Sequence, residues 1–401
     1  MRGATTRQPG EVGAKSQRSR RAAAARARRG APFRGHASSL VVAIFPICLR
    51  LAPYLAAKWL RRISEIIPTC PKVEGASTWR DAIRSTKSTV VYAWGLQFVP
   101  LCLRVNPPWG GEPLALPIHV RLHRKGETTC PALVEEMVRD VEAWLPKRKF
   151  HLVADGAYAC LCGAGFERTH VTSRLRRDAT LYGRPPKRKK GQRGRPRKKG
   201  ARLPKPEAMA KRARRWRRVT TVQRGRERER LVTSRIVLWY GVAKDRPLLL
   251  VISRDPSGKE KDDFFVTTDV TLAPARVVEE YAARWAVEDT FRNVKQFLGA
   301  EEPQSWKGAG PERAGALAYL VYGVVWLWYI RHGHGSAADR LPDRPWYAGK
   351  SKPSFQDALA ALRTTLWRER LSTLRIFDRS ALQEQTPLIH EPLIQALARA
   401  A

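Results

Sequence analysis

Acidic residues are scarce: 36 Asp and Glu stand against 75 Lys and Arg, and no aspartate occurs before Asp81. The resulting formal charge of +39 is far beyond what solubility needs. It points to a polyanion bound with strong salt dependence, nucleic acid first and an anionic membrane surface second. Cysteine is also sparse. The six, at positions 48, 70, 102, 130, 160 and 162, form no CxxC pair, which excludes a disulfide scaffold or a paired-cysteine zinc site and fits a reducing compartment. Cys160-Leu-Cys162 reads as small buried thiols, with a weak metal pair as the alternative. Long apolar runs are missing too. Residues 314–330 are uncharged for only seventeen positions and include Gly315 and Gly323, so they read as a buried core helix, and the run at 41–49 is shorter. No membrane partner is expected, and the cytoplasm, in association with the nucleoid, is the expected location.

What is present is enough to fold. With 43% hydrophobic residues in 401, the chain can bury one large core or two. The first 36 residues are dominated by Arg, Ala and Gly without helical period, which predicts disorder or a basic arm rather than a targeting peptide. From residue 88 the pattern is β: an apolar run to 105, the turn Asn106-Pro-Pro-Trp-Gly-Gly111, and a second run over 113–123. Leu133, Val134, Met137, Val138 and Val141 recur at helical spacing, and residues 150–154 form a short buried strand. Asp155 follows that strand directly, where mixed α/β sheets gather ligands. A metal-binding carboxylate and a turn aspartate are the two readings.

The densest chemistry lies in Tyr281-Ala-Ala-Arg284-Trp-Ala-Val-Glu288 with Lys295 beyond it. On one continuous helix, predicted over 275–298, a step of seven drifts only about 20°. Tyr281, Glu288 and Lys295 then share a stripe, with Arg284 one turn behind Glu288. One carboxylate among three phosphate-seeking groups suits metal-assisted phosphoryl transfer. An exposed Arg284–Glu288 pair is the plain alternative.

The spacing Tyr-x2-Arg-x3-Glu-x6-Lys resembles the signature of bacterial insertion-sequence transposases of the Asp-Asp-Glu (DDE) superfamily. Lys72-Val-Glu-Gly75, Asp155-Gly-Ala-Tyr158, Arg193-Gly-Arg-Pro196, the run Val251-Ile-Ser-Arg-Asp-Pro256 and Pro311-Glu-Arg313 extend the likeness over about Lys72 to Arg370. The resemblance implies an α/β fold, a ribonuclease H-like mixed sheet flanked by helices and interrupted by a basic, β-rich insertion. It implies metal-dependent cleavage at element ends and strand transfer by a 3′-hydroxyl. Asp155 and Glu288 would be catalytic metal ligands, Tyr281, Arg284 and Lys295 would contact DNA phosphates, and two Mg²⁺ (or Mn²⁺) would complete the site. Double-stranded DNA, at element ends and target, and a second copy of the chain would be the partners. The expected organisation is an out-of-family or disordered segment 1–71, core 72–167, insertion 168–274, core 275–335 and a helical tail 336–401.

Within the insertion, residues 184–218 hold eighteen Lys or Arg, five prolines and one acid, Glu207, which predicts an extended, solvated, polyanion-binding ribbon. Its segment Arg193-Gly-Arg195-Pro-Arg197-Lys198-Lys199 resembles the AT-hook, which lies in narrow A·T minor grooves. An unspecific basic linker is the other reading. Trp216 or Trp239 could stack on an unpaired base.

One departure matters. The resembled family has its first catalytic Asp at the end of a first strand just before the Lys-Val-Glu-Gly segment, and no Asp stands there in this chain. Glu65 lies near the place, as a longer and poorer substitute. The Arg/Ala/Gly bias ahead of it is that of GC-rich DNA read in another frame, which implies that the first strand is lost and the copy degenerate. A non-catalytic basic DNA-binding protein is therefore the competing function, and an RNA-associated protein the third.

Overall fold

The computed structural model describes residues 38–42, 73–80, 85–86, 88–187, 194–300, 305–336, 339, 341, 349–373 and 386–399. Among them, eleven strands and eight α-helices follow in the order β1 (Ser38–Val42), β2 (Ser77–Arg80), β3 (Tyr92–Gly95), β4 (Gln97–Val105), β5 (Leu114–His123), α1 (Cys130–Trp144) and β6 (Phe150–Ala154). A 3₁₀ segment (Gly156–Gly163), β7 (Thr169–Arg174), α2 (Pro206–Arg212), β8 (Arg217–Gln223), β9 (Arg226–Leu238), the single turn α3 (Tyr240–Ala243), β10 (Pro247–Arg254) and β11 (Asp263–Thr267) come next. The chain continues through α4 (Pro274–Ala283), α5 (Ala286–Phe297), α6 (Gly310–Trp328), α7 (Phe355–Thr373) and α8 (Thr386–Arg399).

Nine strands make one sheet in the order β5-β4-β1-β6-β7-β11-β10-β9-β8. β5, β4 and β1 are antiparallel neighbours, whereas β1, β6 and β7 run parallel. Three antiparallel strands followed by two parallel ones, with helices on both faces, is the ribonuclease H-like arrangement. The centre of the sheet, where a strand was expected to be missing, is filled by β1 out of the basic N-terminal stretch, with Val42 paired to Ala154 of β6. The strand is present; the acid is not, because the sequence continues Ala43-Ile44-Phe45.

The insertion does not form a separate layer. β7 pairs in parallel with β6, and β11, β10, β9 and β8 extend the same sheet by antiparallel pairing. Nor is all of residues 184–218 a solvated ribbon: Ala210 is buried in the main core and Leu203, Met209 and Trp216 pack against it. Alternation explains the two faces. Phe150, Leu152 and Ala154 of β6 meet Leu133, Val134, Met137, Val138 and Val141 of α1 on one side. On the other, Val277 and Val278 of α4 cover Val251 and Phe265, while α5 and α6 cover β4 and β5.

α1 starts where the sequence says it should: Thr129 Oγ1 accepts from the N–H of Ala132, and a proline sits in the first turn. α6 differs from the buried core helix expected. Tyr319, Tyr322 and Trp326 are buried, but Leu317, Leu320, Val324 and Leu327 form an exposed stripe. The segment Gly310–Gly333 is long and apolar enough to cross a membrane by length and composition, yet one side of it packs on β5 and the core.

Candidate active site

Asp155 follows the C-terminal end of β6, and the chain then turns into the 3₁₀ segment with Tyr158 N–H donating to the Asp155 carbonyl at 2.9 Å. Ser173 Oγ of the neighbouring β7 donates to the same carbonyl at 2.9 Å. The backbone at Gly156 passes close to β7, where a Cβ would stand 3.3 Å from the Arg174 carbonyl oxygen.

α4 brings Tyr281 over this point. Its ring packs on Phe265 at 4.8 Å and its hydroxyl donates to Asp155 Oδ1 at 3.0 Å. Burial pushes the phenol up to about 12, with Arg284 opposing and Asp155 reinforcing the shift. Tyr281 thus stays a donor that fixes one carboxylate oxygen and leaves the other.

The single helix expected over 275–298 is two helices. Arg284 N–H donates to Tyr281 O and Trp285 N–H to Ala282 O, both at 3.2 Å, followed by Val287 to Arg284 and Glu288 to Trp285. These are i→i−3 bonds, so the chain tightens through Arg284 and Trp285. No Gly or Pro marks the break. It places Glu288 in the first turn of α5, where the helix dipole favours a negative charge.

Arg284 is the tightest group in the site. Its side chain is only 6% exposed, lies 5.4 Å over the Tyr281 ring, and has Nη1 3.9 Å from Glu288 Oε1, beyond hydrogen-bond reach. Nε and Nη1 of Arg284 and Oε1 of Glu288 are buried without a hydrogen-bond partner among the described residues. Unsatisfied buried groups of both signs in one place call for a ligand of both signs, such as a phosphate oxygen and a cation. Burial raises the Glu288 carboxyl above its usual range; Arg284 opposes this and the nearby Asp155 carboxylate adds to it. The two acids, 133 positions apart in sequence, therefore sense each other electrostatically.

Lys295 is half-buried two turns along α5. Asp155 and Glu288 offer hard oxygen donors of the kind that bind divalent ions. No group of three His, Cys, Asp or Glu able to hold a metal occurs among the described residues, so a two-ion clamp does not fit them. Glu65 and Arg193 lie outside the described residues. Asp262 and Asp263 are engaged by Arg254 and Arg174, and Asp269 accepts from Thr271, so none joins the site.

Three features escaped the sequence. Glu280, one residue before Tyr281, is 4% exposed and is gripped by Arg104 Nη1 at 2.6 Å and Nη2 at 3.2 Å, with Arg276 at 2.7 Å. The clamp ties α4 to β4. Only the i,i+4 spacing of Arg276 and Glu280 hinted at it, and Arg104 is 176 positions away. Trp285 is exposed with Arg224 stacked 4.1 Å over its ring, whereas Trp216 is covered by Arg254 at 4.3 Å and Trp239 packs on the core. Of the basic set, Arg195, Arg197 and Lys198 are exposed, but Lys199 Nζ lies 4.4 Å from the Tyr182 ring centroid and 4.7 Å from that of Tyr240.

Residues 89–231, about a third of the chain, match the family model described as DDE superfamily endonuclease. No curated protein matches the sequence. Among solved structures, the piggyBac transposase synaptic complex with hairpin DNA aligns with 86% of this chain and 56% of that one, at 12% identity and a TM-score of 0.37. The chain thus spans little more than half the length of that relative, and a likeness this distant says nothing of what this chain acts on.

Proposed function

We propose that the chain is a DNA transposase of an insertion sequence, bearing an incomplete catalytic site that binds DNA and cleaves it weakly or not at all. The observation that carries this reading is the buried, unsatisfied Arg284–Glu288 pair beside the Tyr281-held Asp155. Asp155 and Glu288 would hold one Mg²⁺ or Mn²⁺, which when bound would polarise a phosphate oxygen and lower the pKa of water. Arg284 would take a phosphate oxygen with its free N–H groups, and Lys295 would contact the backbone further along. Tyr281 would keep Asp155 oriented. Two copies would act on paired element ends near the nucleoid.

The non-catalytic alternative is favoured by one observation, the lack of a third acid among the described residues. DNA binding tests what the two readings share. Replacing Arg193, Arg195 and Arg197 together by alanine should weaken duplex binding and flatten its salt dependence, as fewer counterions are released. The loss should be larger on A·T-rich than on G·C-rich duplex in fluorescence anisotropy titrations at several salt concentrations. Equal losses on both would leave an unspecific basic loop, and no binding by the unaltered chain at low salt would overturn the function itself.

A further inference from the structure

The basic excursion between residues 184 and 199 is tied at its base. Gly183 N–H donates to Ala201 O at 2.9 Å, Gly200 N–H to Gly183 O at 3.0 Å, Leu203 N–H to Leu181 O at 2.8 Å, and Tyr182 exchanges bonds with Leu238 of β9 at 2.8 Å. The strands of this neck are so close that a Cβ on Gly200 would stand 2.3 Å from the Arg184 carbonyl oxygen. The described residues 181–183 and 200–203 are thus fixed to each other and to β9.

At that point Lys199 differs from its neighbours. Its ammonium is sandwiched between Tyr182, on the outgoing side of the neck, and Tyr240, which opens α3 on the adjoining connection of β9 to β10. A cation between two aromatic faces gains from both ring quadrupoles, and an ammonium so placed has less freedom to follow a phosphate. Arg195, Arg197 and Lys198 are exposed like Lys199, but among the described residues only Lys199 of the four lies over aromatic rings.

We infer that Lys199 is a positioning residue, a cation pinned by Tyr182 and Tyr240 that aims the arm of residues 194–198, while Arg195, Arg197 and Lys198 are the groups that reach DNA. The inference rests on the DNA-binding reading above and divides its residues into contact and anchor. An arm held in one direction loses less conformational freedom on binding, so the anchor adds affinity without adding a phosphate contact.

Salt dependence separates the two roles, because the slope of log K against log salt counts the phosphates neutralised, at about 0.9 per contact. Duplex binding should be titrated at four or more salt concentrations for the full chain and for Lys199→Met, Lys199→Arg, Tyr240→Leu and Arg197→Ala. Lys199→Met is expected to lower affinity roughly three- to ten-fold with the slope unchanged, which matches the strength of cation–π contacts. Lys199→Arg should retain affinity, since guanidinium also stacks on rings. Tyr240→Leu should copy Lys199→Met, and the double variant should lose no more than either alone. Arg197→Ala should reduce the slope by about one. A Lys199→Met slope lower by about one, or additive losses in the double variant, would make Lys199 a plain phosphate contact and overturn the inference. Absence of DNA binding by the unaltered chain would instead overturn the functional reading.

Discussion

Glu280→Ala is expected to destabilise the fold by about 3–5 kcal/mol, because it leaves the Arg104 guanidinium inside the sheet–helix interface with no counter-charge. The pair is nearly solvent-free on both sides, at 13% and 4% exposure, so little screening reduces the loss. Arg276 is half exposed and can turn to water; Arg104 cannot. Urea unfolding followed by tryptophan fluorescence gives the difference directly. A double replacement, Glu280→Leu with Arg104→Met, should recover much of the stability, since an apolar pair of similar volume avoids the desolvation of both charges. A loss below about 1 kcal/mol for Glu280→Ala would place the pair in the weak class of surface bridges instead.

Ala43→Asp should produce the largest functional change. β1 ends at Val42 in register with Ala154, and Asp155 follows Ala154 as Ala43 follows Val42. Ala43 itself lies outside the described residues. An aspartate there would supply the bridging third acid that two-ion catalysis requires. Losing one such stabilising group typically costs on the order of 10²–10³ in rate, so nicking of DNA carrying the element ends should rise by a comparable factor in Mn²⁺. Glu288→Gln in the same background should abolish the gain. Robust nicking by the unaltered chain that survives Glu65→Gln would show a third ligand elsewhere.

Local pattern made much of this architecture legible. The hairpin of β4 and β5, helix α1, strand β6 and the position of Asp155 followed from apolar periodicity, the Asn-Pro-Pro turn and a chain that turns at glycine. The acid-bearing helix was legible as chemistry but not as geometry. The i→i−3 bonds at Arg284 and Trp285 are imposed by packing on the sheet, and no residue in the sequence announces them. β1 was hidden for a different reason. The apolar run at 41–49 was visible, but it follows an Arg-rich stretch assigned outside the core, and the place of Ser38–Val42 between β4 and β6 is set by long-range pairing. Glu280 was hidden because a buried charge reads as a surface one until its partner, far away in sequence, is brought to it. The insertion's strands were legible singly, but that they extend the core sheet is set by the long-range pairing of β11 with β7.

The central claim is a site of two carboxylates, Asp155 and Glu288, that takes one divalent ion. Counting Mn²⁺ bound per chain, by titration calorimetry or by the loss of the free-ion EPR signal, tests it most directly. Burial raises the Glu288 carboxyl, so its folded form prefers the proton, and metal must compete with that proton until pH exceeds the raised value. The account predicts one Mn²⁺ per chain, binding that strengthens as pH rises through the range above ordinary carboxylates, and loss of that ion in Glu288→Gln. Two ions per chain, or one ion that Glu288→Gln leaves in place, would contradict it.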